Sequence, residues 1–302
     1  MSQFTLGYAC ICMDLREAKP SVFTSRSCTK KTLEKKGVDV LGEIALKNCR
    51  DLLKILQWNE AHNIRFFRMS SDIWPWMGVH DVQNFAEWPA IERALQEAGE
   101  FARIHDHRLT FHPSHFVKLA ALDTALASLS LAEMEAHSLV LDTMGFCDAS
   151  PQNKINIHVG GVYGDKQSTM IRWAERYAQL SSRCRARVTI ENDDTPNGFN
   201  VDDLLELHAM CGVPIVFDFH HWKFNKGSKT MEDAFRAALT TWPHGIRPVV
   251  HWSESQEGRK PHAHSDLVDG PIDLFGLEAG VDVMIEAKHK ERALLRYREL
   301  TI

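Results

Sequence analysis

Short apolar runs alternate with longer amphipathic patterns along the whole chain. The runs are Phe4–Cys10, Ile64–Met69, Arg108–His112, Lys154–Val159, Arg187–Glu191, Pro214–Asp218, Arg247–His251 and Val281–Glu286. Each has the length and the Val, Ile and Phe content of a strand buried on both faces of a parallel sheet. Apolar spacings of three and four residues predict helices over Leu41–His62, Ala90–His105, Leu122–Met144, Met170–Ser182, Val201–Cys211, Met231–Trp242 and Lys290–Leu300, with a poorer one over Ile272–Gly280. Segment Val201–Cys211 shows the logic: apolar Val201, Leu204, Leu205 and Leu207 alternate with Asp202, Asp203 and Glu206. Asn200 is placed to cap it and Gly212 to stop it.

Eight strands, each followed by a helix, predict an α/β fold, a single (β/α)8 TIM-type barrel spanning 1–302 as one domain. A doubly wound open sheet is the competing arrangement, but no Gly-rich phosphate loop follows the first strand. The longest irregular connections, 11–38, 70–88, 219–229 and 252–270, fall after strands, where barrel enzymes keep their functional loops.

Composition narrows the function. A hydrophobic content of 44% and a charged content of 25% describe a globular chain, and a net charge of −5 excludes a polycation that coats nucleic acid indiscriminately. Any nucleic-acid contact must come from a local basic patch. Seven cysteines with no CxxC spacing signal neither a disulfide framework nor a zinc knuckle. The N-terminus has no basic region ahead of its apolar stretch, and no run approaches the roughly 18 residues of a membrane span. The expectation is a cytoplasmic monomer. Sixteen histidines are the unusual count.

In a barrel, active residues project from the C-terminal ends of the strands. Read in order, those ends are Tyr8, Arg68, His112, His158, Glu191, Asp218, His251 and Glu286, and six of the eight are metal-ligand types. Loops add His220, His221, His262 and His264. Imidazole and carboxylate without thiolate suits Zn²⁺, Mn²⁺ or Fe²⁺, and the donors exceed the needs of one tetrahedral ion. Two or three ions bridged by carboxylates are therefore expected. Such clusters clamp the attacking and leaving oxygens of a phosphodiester.

The motifs LGYA (6–9), FRMSSD (67–72), TFHP (110–113), IHVGGVYGDK (157–166), IENDD (190–194), VFDFHH (216–221), VHWSES (250–255), HAHSD (262–266) and IEAKHKE (285–291) together resemble the UV damage endonuclease family. That family is related to endonuclease IV and to the xylose isomerase-like barrels. The resemblance implies up to three divalent ions, commonly Mn²⁺, with Zn²⁺ or Mg²⁺ as alternatives. It also implies damaged double-stranded DNA as partner, cut 5′ to a cyclobutane dimer, a 6-4 photoproduct or an abasic site. A repair enzyme of this kind would work at the nucleoid, or in the nucleus of a eukaryote.

Position by position, the family's ligands match His112, His158, Glu191, Asp218, His221, His251, His264 and Glu286. His221 fits better than its neighbour His220. His262 stands where the endonuclease IV pattern has an aspartate ligand and is a candidate ninth. Glu191, Glu286 and Lys288 are the expected catalytic groups. Tyr8 and His80 match residues near the damaged nucleotides, and His115–Phe116 match a pair that wedges into the duplex where the family usually has Gln–Tyr. Trp74, Trp76 and Trp222 are candidates for the pocket wall. Two departures bear on lesion preference: Val249 replaces a lysine usual two residues before His251, and Cys12 replaces an asparagine. Phosphate contacts are expected from Lys223, Lys226, Lys229, Arg259, Lys260 and Lys290 on rim loops, extended by Lys30, Lys31, Lys35 and Lys36. Rival readings are an abasic-site endonuclease, a sugar isomerase or epimerase on the same barrel, and a non-catalytic damage sensor.

Overall fold

A computed structural model describes residues 4–301. Eight parallel strands occur in the sequence regions expected: β1 (Thr5–Ala9), β2 (Phe66–Arg68), β3 (Arg108–Thr110), β4 (Ile155–His158), β5 (Val188–Glu191), β6 (Ile215–Asp218), β7 (Val249–Trp252) and β8 (Asp282–Ile285). They pair in the order β3-β2-β1-β8-β7-β6-β5-β4. A parallel bridge between Phe111 and Ile155, with Phe111 N donating to Lys154 O at 2.8 Å, joins the two ends into a barrel.

Alternation along each strand sorts side chains between two layers. Leu6, Tyr8, Phe67, Val250, Val283 and Ile285 join the large cluster beneath the surrounding helices. Ala9, Phe66, Val216, Val249 and Met284 form a smaller one inside the barrel. Gly7 belongs to the inward set because the Phe66 ring fills its place: a Cβ there would lie 2.5 Å from the ring.

The helices are α1 (Met13–Glu17), α2 (Lys30–Lys36), α3 (Asp39–Ala61), α4 (Trp88–Ile104), α5 (Thr124–Thr143), α6 (Lys166–Tyr177), α7 (Ser182–Arg187), α8 (Val201–Cys211), α9 (Phe219–Phe224), α10 (Met231–Leu239) and α11 (Lys290–Leu300). The capping of α8 is as read: Asn200 and Asp203 form a reciprocal capping box, and Gly212 ends the helix at φ 74°.

Several segments differ from the expectation, among them 219–229, where α9 forms in place of an irregular connection. Ile272–Gly280 is not a helix; only a 3-10 turn forms at Glu278–Gly280, and Phe275 and Gly276 take φ of 53° and 81°, which breaks the apolar pattern. The pattern at Met170–Ser182 divides, since α6 ends at Tyr177 and Ser181 caps a second short helix, α7. The long loop 11–38 carries α1 and α2. No described helix is long and apolar enough to cross a membrane.

Candidate metal centre

The C-terminal ends of β3 to β8 converge on two overlapping groups of ligand atoms. His112, His158 and Glu191 form one, and Glu191, Asp218 and His251 the other; within each, the ligand atoms lie within 4.8 Å of one another. Glu191 belongs to both. Its carboxylate lies 3.1 Å from His112 Nε2, 3.1 Å from His251 Nδ1 and 3.3 Å from His221 Nδ1. Glu286 extends the cluster, with Oε1 3.1 Å from His251 Nδ1 and Oε2 3.8 Å from His264 Nδ1.

Local chain geometry aims these groups. The Asp218 side chain accepts from His221 N at 2.7 Å and so caps α9, which turns His221 back toward the strand ends. Asn192 locks β5 to β6, accepting from Asp218 N at 2.9 Å and donating to Asp218 O at 3.0 Å. After β7 the chain makes a hairpin with an antiparallel bridge between Ser255 and His264, and this returns His264 to the rim.

Second partners fix the imidazoles. His112 Nδ1 meets Pro113 O at 3.0 Å, His158 Nδ1 meets Asp193 Oδ1 at 2.7 Å, His221 Nδ1 meets Asn192 O at 2.8 Å, and His264 Nδ1 meets Glu286 O at 2.8 Å. With the proton assigned to Nδ1 on these partners, Nε2 of each ring is left as a ligand atom. His251 is the exception: its Nδ1 faces the carboxylates and its Nε2 lies 3.4 Å from Lys154 Nζ.

The electrostatics are those of a site built to hold charge. Burial alone would raise the Glu191 carboxyl, but the imidazoles of His251, His112 and His158 outweigh it and hold it well below the usual range. Burial likewise opposes Glu286, which Arg68 and His251 keep ionised. Asp218 is pushed up to about 6, chiefly by burial, with the neighbouring carboxylates adding to it. His221 reaches about 9, since Asp218, Glu191 and Glu286 overcome the effect of burial. Burial lowers His112 and His251 and brings Lys154 down to about 7.

Asp218 Oδ2 is buried without a hydrogen-bond partner, and His251 Nδ1, 3.1 Å from both Glu191 and Glu286, makes no aligned hydrogen bond to either. Buried polar atoms left unmatched are costly, and here both belong to the same ligand group. Divalent cations would satisfy them, and the mixed imidazole–carboxylate set fits ions such as Mn²⁺ or Zn²⁺.

The structure leaves several expected residues outside this centre. Tyr8 points outward from β1, fully buried, and donates from its hydroxyl to Asn59 Oδ1 at 2.6 Å; Ala9 is the rim residue that faces inward. His80 lines a separate cavity of about 430 Å³ with Trp74, Asp81, Glu135 and Leu139, because loop 70–88 packs Gly78 onto the backbone of Glu133. His262 is exposed, lies edge-on to Phe224 at 6.0 Å and belongs to neither ligand group. His220 is buried beside Phe224 with neither ring nitrogen hydrogen-bonded. Lys288 is exposed and donates to Gln256 rather than meeting a carboxylate.

Among the cationic residues, Lys223, Lys226, Arg259 and Lys260 are exposed. Lys229 is paired with Asp202 at 2.6 Å, and Lys290 is half-buried near Cys10, Arg68 and Glu286. His115 and Phe116 are exposed on the loop after His112, Phe116 at 66%, with ring centroids 4.1 Å apart. His115 also lines a cleft of about 670 Å³ that opens on His158 and His221. Trp74 is buried, Trp76 donates to Cys28 O at 3.1 Å, and Trp222 lies beneath Lys226.

Sequence reasoning missed Asp193, Asn156, Arg68 as a partner of Glu286, and Lys154. Asp193 had a signal, as the second acidic residue in IENDD. Lys154 had none, since a lysine at the start of a strand reads as surface.

The UV-endonuclease UvdE family profile matches residues 4–301. A putative UV-damage endonuclease of Acanthamoeba polyphaga mimivirus is 32% identical over 299 residues, covering 96% of this chain and 89% of its own. The UV-damage endonuclease of Schizosaccharomyces pombe is also 32% identical, and there the match covers 96% of this chain but 49% of that longer protein. The crystal structure of SacUVDE superposes with a TM-score of 0.84 at 27% identity, covering 99% of both chains. A D-psicose 3-epimerase from Clostridium cellulolyticum H10 superposes at 0.53 with 13% identity over 78% of this chain and 79% of its own, a likeness of fold alone.

Proposed function

The chain belongs to the UV-endonuclease UvdE family, a family of DNA endonucleases, and on that premise we propose that it hydrolyses the phosphodiester 5′ to a lesion in duplex DNA. The lesions are the cyclobutane pyrimidine dimer and the 6-4 photoproduct, with the abasic site as a further substrate. The observation that carries the reading is Glu191, shared by two ligand groups at the barrel mouth. Two or three divalent ions, Mn²⁺ first and Zn²⁺ or Mg²⁺ as alternatives, would supply Lewis-acid charge at the scissile phosphate.

The chain's own groups do the rest. His112, His158, Glu191, Asp218, His251, Glu286, His221 and His264 hold the cations, with Glu191 and Glu286 kept ionised as described. His115 and Phe116, exposed beside the cleft, enter the stack and fill the space left by extruded nucleotides. Extrusion costs least where damage has already weakened pairing, which selects the lesion without reading its sequence. Lys223, Lys226, Arg259 and Lys260 meet phosphates, so binding falls steeply with added salt. The products are a 3′-hydroxyl and a 5′-phosphate.

The test is incision of an end-labelled duplex carrying one thymine dimer, with Mn²⁺, beside undamaged and abasic duplexes. A single cut 5′ to the dimer is expected. Cutting confined to the abasic duplex would replace this reading with an abasic-site endonuclease, and epimerisation of a ketose without nicking would replace it with a sugar enzyme.

A further inference from the structure

Lys154 is the only fully buried lysine among the described residues. Its chain enters the barrel just before β4, and among the described residues no carboxylate lies within 4 Å of its amine to form an ion pair. An amine buried with so little compensation costs the fold about 1–3 kcal/mol, and burial favours its neutral form, which can accept from a ring N–H. A methionine would fill the same space at no such cost. The sequence therefore gives up stability at this position, and such conflicts mark sites kept for function.

The centre supplies the reason. Four of its imidazoles are anchored through Nδ1 by a backbone carbonyl or by Asp193. His251 has no such anchor; its Nδ1 turns to Glu191 and Glu286, and the partner of its Nε2 is Lys154 Nζ at 3.4 Å. The same buried layer holds Asn156, which donates to Glu191 and accepts from Thr189 Oγ1 at 2.8 Å. Beneath the ligand groups lies a polar floor in which Asn156 sets Glu191 and Lys154 meets His251.

We propose that Lys154 is the positioning residue for His251, its amine accepting from the ring's Nε2–H so that unprotonated Nδ1 is presented to a divalent cation shared with Glu191 and Asp218. It touches neither the cation nor the substrate. The proposal rests on the metal-centre reading, and the experiment separates the two.

Full-length protein stripped with a chelator is titrated with Mn²⁺ by calorimetry, and its thermal midpoint is recorded with and without the ion. Lys154→Met is expected to raise the midpoint of the metal-free protein and to weaken the Glu191–Asp218–His251 site about 10- to 100-fold. Lys154→Gln, which keeps a polar partner for Nε2, recovers part of that affinity. In a His251→Asn background, Lys154→Met adds no further loss, because the lysine acts through that ring. Unchanged Mn²⁺ affinity, or a metal-free Lys154→Met protein that melts lower or fails to fold, overturns the proposal and makes Lys154 structural. A parent protein that takes up no Mn²⁺ overturns the metal-centre reading itself.

Discussion

At the N-terminal end of the barrel, Arg108 is buried like the groups at the mouth, yet its donors are matched. It pairs with Asp282 at 2.8 Å and donates to Gln152 O, Arg247 O and Pro151 O at 2.9, 2.8 and 3.1 Å. Arg247 forms an ion pair with the other Asp282 oxygen at 3.1 Å, without a hydrogen bond to it. At the C-terminal end, Glu191 collects three imidazoles, and Asp218 Oδ2 and His251 Nδ1 are left without hydrogen bonds. One barrel thus holds two buried charge clusters, one closed, with Asp282 shared by two arginines, and one open, with Glu191, Asp218 and Glu286 beside a single arginine among the described residues, Arg68. A closed cluster plugs the barrel, whereas an open one has valence to offer a cation and a substrate.

The comparison is tested first at its open end. Glu191→Gln should lower incision on the order of a thousandfold, and the metal-free protein should melt lower than the parent, since three imidazoles lose the carboxylate that pairs them. Substantial residual incision would remove Glu191 from the centre. At the closed end, Asp282→Ala strands Arg108 and should cost about 3–5 kcal/mol in urea unfolding, with the Mn²⁺ affinity of the folded protein unchanged. A loss of affinity there would show that the ends are coupled.

Asp193→Ala frees His158 Nδ1 and should weaken metal binding about 10- to 100-fold with little effect on stability. The smallest effect is a pH dependence. His221 is raised from 6.5 to about 9 in the fold, so the stability its charge contributes is complete below pH 6.5 and is lost as pH rises through 9. The stability gap between the metal-free parent and His221→Gln should therefore narrow from pH 6.5 to 9. Mn²⁺ competes with that proton and should flatten the trend. A gap that widens with pH would contradict the pairing of His221 with Asp218 and Glu191.

Much of this was legible in the chain. The eight apolar runs, the Asn200–Gly212 punctuation of α8 and the ligand-type residues at strand ends follow from period, capping and residue chemistry. Tyr8 shows where that reading fails: successive strand residues face opposite ways, so a rim position misplaced by one turns a mouth residue into a helix-facing one. His80 and His262 fail for another reason. Their loops have contacts of their own, with α5 and with Phe224, and no local pattern announces them.

The sequence by itself determined the barrel, the end at which chemistry would gather and the donor types gathered there, because strand period and side-chain type are local properties. Tertiary structure decided which nitrogen of each histidine is free, which carboxylate is shared, and that Lys154 lies beneath His251. Those depend on second partners from distant segments: Asp193 for His158, Glu286 O for His264, and β4 against β7 for Lys154 and His251. Closing the barrel brings them within hydrogen-bond reach, and residue order alone carries no distance between them.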